Sequence, residues 1–163
     1  MLSIAGLGPG SIHLVVLLVI FLLETSQVVL LESLTNRSIL SLLSAFSSIK
    51  YVGRSLYSSN SNLYGVLLFV FYICSPHIRT VWAKNGDALT FNRAWCQQMI
   101  SISTPLNLTT IPGITSAVAS LSINNINLNG KSNSNVLLTC SAGFVEKDFS
   151  RYASVIYMSK LRL

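Results

Sequence analysis

What this chain has least of is negative charge. Its 163 residues hold 5 Asp and Glu against 11 Lys and Arg, a formal net charge of +6. Charged residues make up only 10% of the chain, where soluble domains carry about 25%. The basic residues are scattered and never form a run, which excludes a nucleic-acid-binding arm. A basic chain with few acids suits a polyanionic small molecule, and such a charge equally serves solubility alone. Cysteine is also scarce. Cys74, Cys96 and Cys140 are odd in number and show no CxxC spacing. A disulfide framework is therefore excluded, and free thiols in a reducing compartment are expected. With only His13 and His77 to add, no metal site is expected. Long hydrophobic runs are missing too, although 51% of the residues are hydrophobic. Ile12 to Leu23 is closed by Glu24, and Tyr64 to Cys74 by Ser75-Pro76. A spanning helix needs about 20 apolar residues, and runs of this shorter length are more often buried core helices. A shallow hydrophobic helix at a membrane is the competing reading. No positive charge precedes the first apolar stretch, so no signal peptide is expected. The glycosylation-like triplets beginning at Asn36 and Asn107 then read as chance, and the expected location is the cytoplasm.

What is present begins with Gly6-Leu7-Gly8-Pro9-Gly10. The apolar run Leu2 to Ala5 before it reads as a buried strand, and residues 12–27 after it as a helix. Glycines there allow positive φ and close backbone approach. A turn between strand and helix is a common ligand position in α/β sheets, but G-x-G-P-G is not the dinucleotide fingerprint, and a plain connecting turn without a ligand is an equal reading. Val28 to Leu31 predicts a second strand ending at Glu32, 38–46 a helix, and Ile49 to Val52 a third strand leaving through Gly53-Arg54. A serine- and asparagine-rich loop leads to a helix over 63–74, which Pro76-His77 ends. Ile78 to Trp82 predicts the next strand, followed by Asn85-Gly86-Asp87, a turn whose carboxylate could bond amines or hydroxyls of a ligand. A helix over 93–102, a strand over 106–111 and the turn Pro112-Gly113 follow. Thr115 or Ser116 then caps a small-residue helix. Residues 124–135 read as a loop, 136–140 and 155–158 as strands, and 147–152 as a polar surface segment. The fold class is α/β: a mainly parallel five-stranded N-terminal domain over 1–120, a linker over 121–135, and the start of a second α/β domain over 136–163.

Taken in order, these stretches resemble the tetrapyrrole (corrin/porphyrin) methylase family. The strand and G-x-G-P-G loop match Leu2 to Gly10, and the family's VVLYDxLV resembles Val28 to Thr35. YVGKR resembles Tyr51 to Ser55, and RLKGGDPFxFGRG resembles Trp82 to Ala94. VPGITSA is nearly intact at Ile111 to Ala117, and VFYMG resembles Val155 to Ser159. The resemblance implies S-adenosylmethionine as methyl donor, with no metal. The implied reaction is C-methylation of uroporphyrinogen III to precorrin-2, towards sirohaem or cobalamin. It places Pro9, Asn85, Gly86, Asp87, Thr90, Thr115, Ser116 and Met158 at the cofactor. It puts Glu32 and Arg54 where the family has its candidate base, an Asp, and its candidate proton donor, a Lys. It also implies an anionic tetrapyrrole as partner and a homodimer.

The chain departs from the family pattern in four places. Glu32 is one methylene longer than Asp. Arg54 stays protonated at neutral pH and suits a substrate carboxylate better than proton donation. The 85–94 stretch has fewer glycines than its counterpart. The chain also ends two strands into the second domain, which implies a shortened enzyme with impaired activity or an incomplete reading frame. A sister methylase, acting on a later precorrin or on diphthine, is the alternative enzyme. A non-catalytic membrane-associated protein is the alternative outside enzymes.

Overall fold

A computed structural model of the chain describes residues 1–32, 35–52, 70, 72–74, 77–90, 107–129, 135–139 and 154–157. Five short strands form one sheet: β1 (Leu2–Gly6), β2 (Val28–Glu32), β3 (Ser48–Val52), β4 (Thr80–Lys84) and β5 (Leu108–Ile111). Their order is β3-β2-β4-β1-β5, and every pairing is parallel. This is the α/β architecture expected from the alternation of apolar runs and glycine turns. Parallel strands covered on both faces read as nearly continuous hydrophobic runs. All five positions of β1 and of β4 are buried. Alternate residues divide between two cores. Leu2, Ile4, Leu30, Val52 and Trp82 meet Val70 and Cys74 on one face. Ala5, Val29, Leu31, Val81 and Ala83 meet Val19, Leu23 and Ile39 on the other.

β1 and β4 lie side by side although they are far apart in the chain. The chain leaves β1 towards β2 and β4 towards β5, in opposite directions across the sheet. A crevice outside the carboxyl ends of such strands is where open α/β sheets take ligands.

The expected helix over 12–27 is divided. A 3-10 turn covers Ile12–Leu14, Val15 and Val16 are extended, and α1 runs only from Leu17 to Thr25. Two adjacent β-branched residues favour the extended region, and Leu14 is held against the glycine loop. Val19 and Leu23, one turn apart, are buried, whereas Leu17, Leu18 and Phe21 are exposed. Thr25 Oγ1 donates back to Phe21 O at 2.8 Å where the helix ends.

The expected helix over 38–46 is instead a 3-10 helix, Arg37–Leu42. Asn36 caps it by accepting from Ser38 N, and Ser41 Oγ donates to Ser38 O. Hydroxyls that bond nearby backbone compete with α-helical geometry. The other strands fall within two residues of their expected positions. Most of the helix expected over 63–74, all of that over 93–102 and the surface segment at 147–152 lie outside the described residues. Among the described residues, no helix is long and apolar enough to cross a membrane.

The chain falls into two compact units, Met1–Thr115 and Ser116–Leu163. The second contains α2 (Ser116–Ile123) and a parallel pair, β6 (Val136–Thr139) and β7 (Ser154–Tyr157).

Candidate functional site

The loops that leave β1, β4 and β5 are built from main chain. Gly8 and Gly86 form an isolated antiparallel bridge: Gly8 N donates to Gly86 O at 3.0 Å and Gly86 N to Gly8 O at 2.8 Å. One step earlier, Leu7 N donates to Lys84 O at 2.8 Å. Both bridge residues have positive φ, +73° at Gly8 and +70° at Gly86, a region that side chains disfavour. Gly6 and Gly113 have no room for a side chain. A Cβ on Gly6 would lie 2.6 Å from Gly113 N and 2.7 Å from Gly86 O. Pro9 sits half-exposed between Gly8 and Gly10, whose φ is +119°. Asn36 Nδ2 donates to Gly10 O at 2.8 Å, so the segment after β2 holds the far end of this loop.

Asp87 closes the cradle. Its Oδ1 accepts from Leu89 N, Thr90 N and Thr90 Oγ1 at 2.8–2.9 Å, and its Oδ2 accepts from Gly113 N at 3.0 Å. Burial pushes this carboxyl up, but the hydrogen bonds from Gly113, Leu89 and Thr90 together outweigh it and hold it below the usual Asp value. The turn is therefore pinned by its own carboxylate. The carboxylate and Thr90 shape the loop by bonding each other and the β5 turn. Asn85 and Gly86 form the tip of the same turn. Thr115 ends the stretch after β5, half-exposed, and Ser116 begins α2 in the second unit. Arg54 and Met158 lie outside the described residues.

Glu32 stands at the end of β2. Its Oε1 accepts from Lys84 Nζ at 2.9 Å. Register explains the meeting: Leu31 lies opposite Ala83, so the next residues of β2 and β4 come side by side on one face. The Lys84 ammonium also lies 4.2 Å from the Trp82 ring centroid, near enough for a cation–π contact. The Lys84 side chain is only 7% exposed and that of Glu32 27%. A buried ammonium is costly unless paired, so Lys84 holds the carboxylate as firmly as it is held.

Sequence reading named Glu32 but passed over Lys84. The available signal was a lone cation two residues after Trp82, on the same face of an otherwise apolar strand. Among the described residues, no group of three or more His, Cys, Asp or Glu is placed to hold a metal.

No protein-family model matches this chain, and no curated protein matches it. Solved structures do. A cobalt-precorrin-4 methyltransferase of cobalamin biosynthesis superimposes with a TM-score of 0.75 at 20% identity, covering 91% of this chain and 61% of that one. The uroporphyrin-III C-methyltransferase of Thermus thermophilus, solved with S-adenosylhomocysteine, gives 0.71 at 23% identity, covering 94% and 62%. A diphthine synthase gives 0.61 at 12% identity, covering 85% and 53%. The chain spans about three fifths of the length of the first two. It has the fold of the tetrapyrrole methyltransferases.

Proposed function

We propose that this protein is an S-adenosylmethionine-dependent C-methyltransferase that converts uroporphyrinogen III to precorrin-2. The carrying observation is the convergence of residues 6–10, 84–90 and 111–115 into one backbone-lined cradle at the strand ends. The cradle suits the cofactor. Pro9, Gly10, Gly86, Gly113 and Thr115 are half-exposed around it. Its described lining brings one carboxylate, Asp87, and one cation, Lys84, which is paired. A cationic sulfonium is compatible with such a lining. S-adenosylmethionine, when bound, supplies an electrophilic methyl carbon on its sulfur.

Methyl transfer would form a bond to a substituted pyrrole carbon and break the sulfur–carbon bond; that carbon carries no hydrogen, so the cationic adduct would lose its proton from a ring nitrogen or an adjoining meso carbon. Pro9, Asn85, Gly86 and Thr115, with Asp87 and Thr90 shaping the turn, would bind and orient the cofactor. Glu32 would take the proton. Its Oε1 is occupied by Lys84, whereas its Oε2 has no partner among the described residues. A donor this reactive needs chiefly positioning, and one base for the proton.

Calorimetric titration of the full chain with S-adenosylhomocysteine is expected to give saturable binding below millimolar concentration. Incubation with uroporphyrinogen III and the methyl donor is expected to give methylated product by mass spectrometry. Absence of both binding and product would sink the proposal. A second reading, methylation of a later precorrin, is favoured by the equally strong structural likeness to the precorrin-4 enzyme. Product from that acceptor but none from uroporphyrinogen III would decide for it.

A further inference from the structure

We infer that Lys84 is a positioning residue for Glu32, fixing the carboxylate against the same loop that would carry the cofactor. The inference rests on the methyltransferase reading above. It starts from an unusual double attachment. The Lys84 carbonyl accepts from Leu7 N at 2.8 Å, so its main chain is tied to the glycine loop. Its side chain crosses to β2 and bonds Glu32 Oε1 at 2.9 Å. β1 and β2 are not neighbours in the sheet, and β4 lies between them. Lys84 is thus the described residue that links the first turn of the cradle to the candidate base.

The link is stiff at each joint. The backbone of Lys84 ends a strand paired on both sides, with Gly6 opposite it in β1. Its stem is buried, and its ammonium lies over the Trp82 ring at 4.2 Å. Trp82 is itself buried among Leu2, Ile4 and Leu30. The glutamate needs such a brace, because its arm has one more rotatable bond than an aspartate would. Pinning Oε1 leaves Oε2 as the oxygen that can accept a proton. The Lys84 ammonium is taken up by the carboxylate and the Trp82 ring, so Lys84 acts through Glu32.

The test is a double-mutant cycle on the full chain, reading methyl transfer to uroporphyrinogen III or precorrin-4 alongside S-adenosylhomocysteine affinity and melting temperature. Lys84→Met is expected to lower kcat by about 10- to 100-fold, the scale of a roughly 1 Å misplacement, with cofactor affinity within about twofold of wild type. Glu32→Gln is expected to lower kcat at least as far. The double variant should match Glu32→Gln alone, because residues acting through one another are not additive. Lys84→Arg keeps the charge but moves the carboxylate, and an intermediate kcat is expected. It decides the matter should Lys84→Met fail to fold. A wild-type kcat in Lys84→Met or in Lys84→Arg, or effects that multiply in the double variant, overturns the role of Lys84 and leaves the methyltransferase reading standing. A folded wild type that transfers methyl groups to neither acceptor overturns the reading and the inference together.

Discussion

At the scale of single residues, Asp87 is the most committed side chain of the site. One oxygen gathers the turn from Leu89 to Thr90, and the other reaches Gly113. An amide cannot do both, since its nitrogen would face a donor. Asp87→Asn is therefore expected to weaken S-adenosylhomocysteine binding at least tenfold and to lower the melting temperature at pH 7. The pH dependence has a defined sign. The folded carboxyl titrates below the unfolded one, so its stabilisation is fully present above the ordinary Asp value of about 3.9. It is lost as the pH falls from there through the folded value. The gap in melting temperature between wild type and Asp87→Asn should be widest near neutrality and shrink below about pH 4. A gap that stays constant down to pH 3 would show that this carboxylate contributes nothing through its charge.

At the scale of elements, three strand-end turns are packed so closely that glycine is the only residue their contact admits. A Cβ on Gly113 would collide with Gly86 O and lie 2.7 Å from Gly6 Cα. Both obstacles are main chain, which cannot rotate aside. Gly113→Ala is expected to cost about 1–3 kcal/mol, as overpacking does, and to abolish cofactor binding before it abolishes folding. Thermal melting and calorimetry on the same sample check both parts. A fully stable, binding-competent Gly113→Ala would mean that the turns are looser than described.

The strands were legible in the sequence because each is a short apolar run bounded by a glycine, a charge or a polar turn, and burial enforces that pattern. The two helices after β1 and β2 were not. Local effects decide them, the paired valines at 15–16 and the serines at 38 and 41, and these weigh little in a pattern of hydrophobicity. Of the site, the turns at Pro9 and at 85–87 could be read from glycine spacing. The partnership of Lys84 with Glu32 could not, because it depends on which strand lies beside β2. The strand that follows β2 in sequence along the described sheet, β3, is only one of its two neighbours, and β4 is the other.

At the scale of the whole molecule, charge is the dominant property. A net charge of +6 on 163 residues would steer the anionic tetrapyrrole of the proposed reaction towards the protein, and salt would screen that attraction over about 8–10 Å at physiological strength. KM for the tetrapyrrole is expected to rise several-fold between 50 mM and 500 mM salt, with affinity for S-adenosylhomocysteine nearly unchanged. Equal salt sensitivity of the two ligands would assign the effect to the fold instead of to steering.

The bridge between Gly8 and Gly86 has one more consequence. A site made of main-chain atoms asks for a few glycines at fixed places and is indifferent to most of the side chains around them. Mutations can accumulate away from these contacts without altering its shape, so long as Asp87 and Asn36 keep their bonds to the loops. Descent can therefore erase the spelling of a protein like this one while its crevice keeps the same outline. The positions least able to accept a change are then the glycines, where any side chain collides with main chain, together with the Asp87 carboxylate that ties two of the turns.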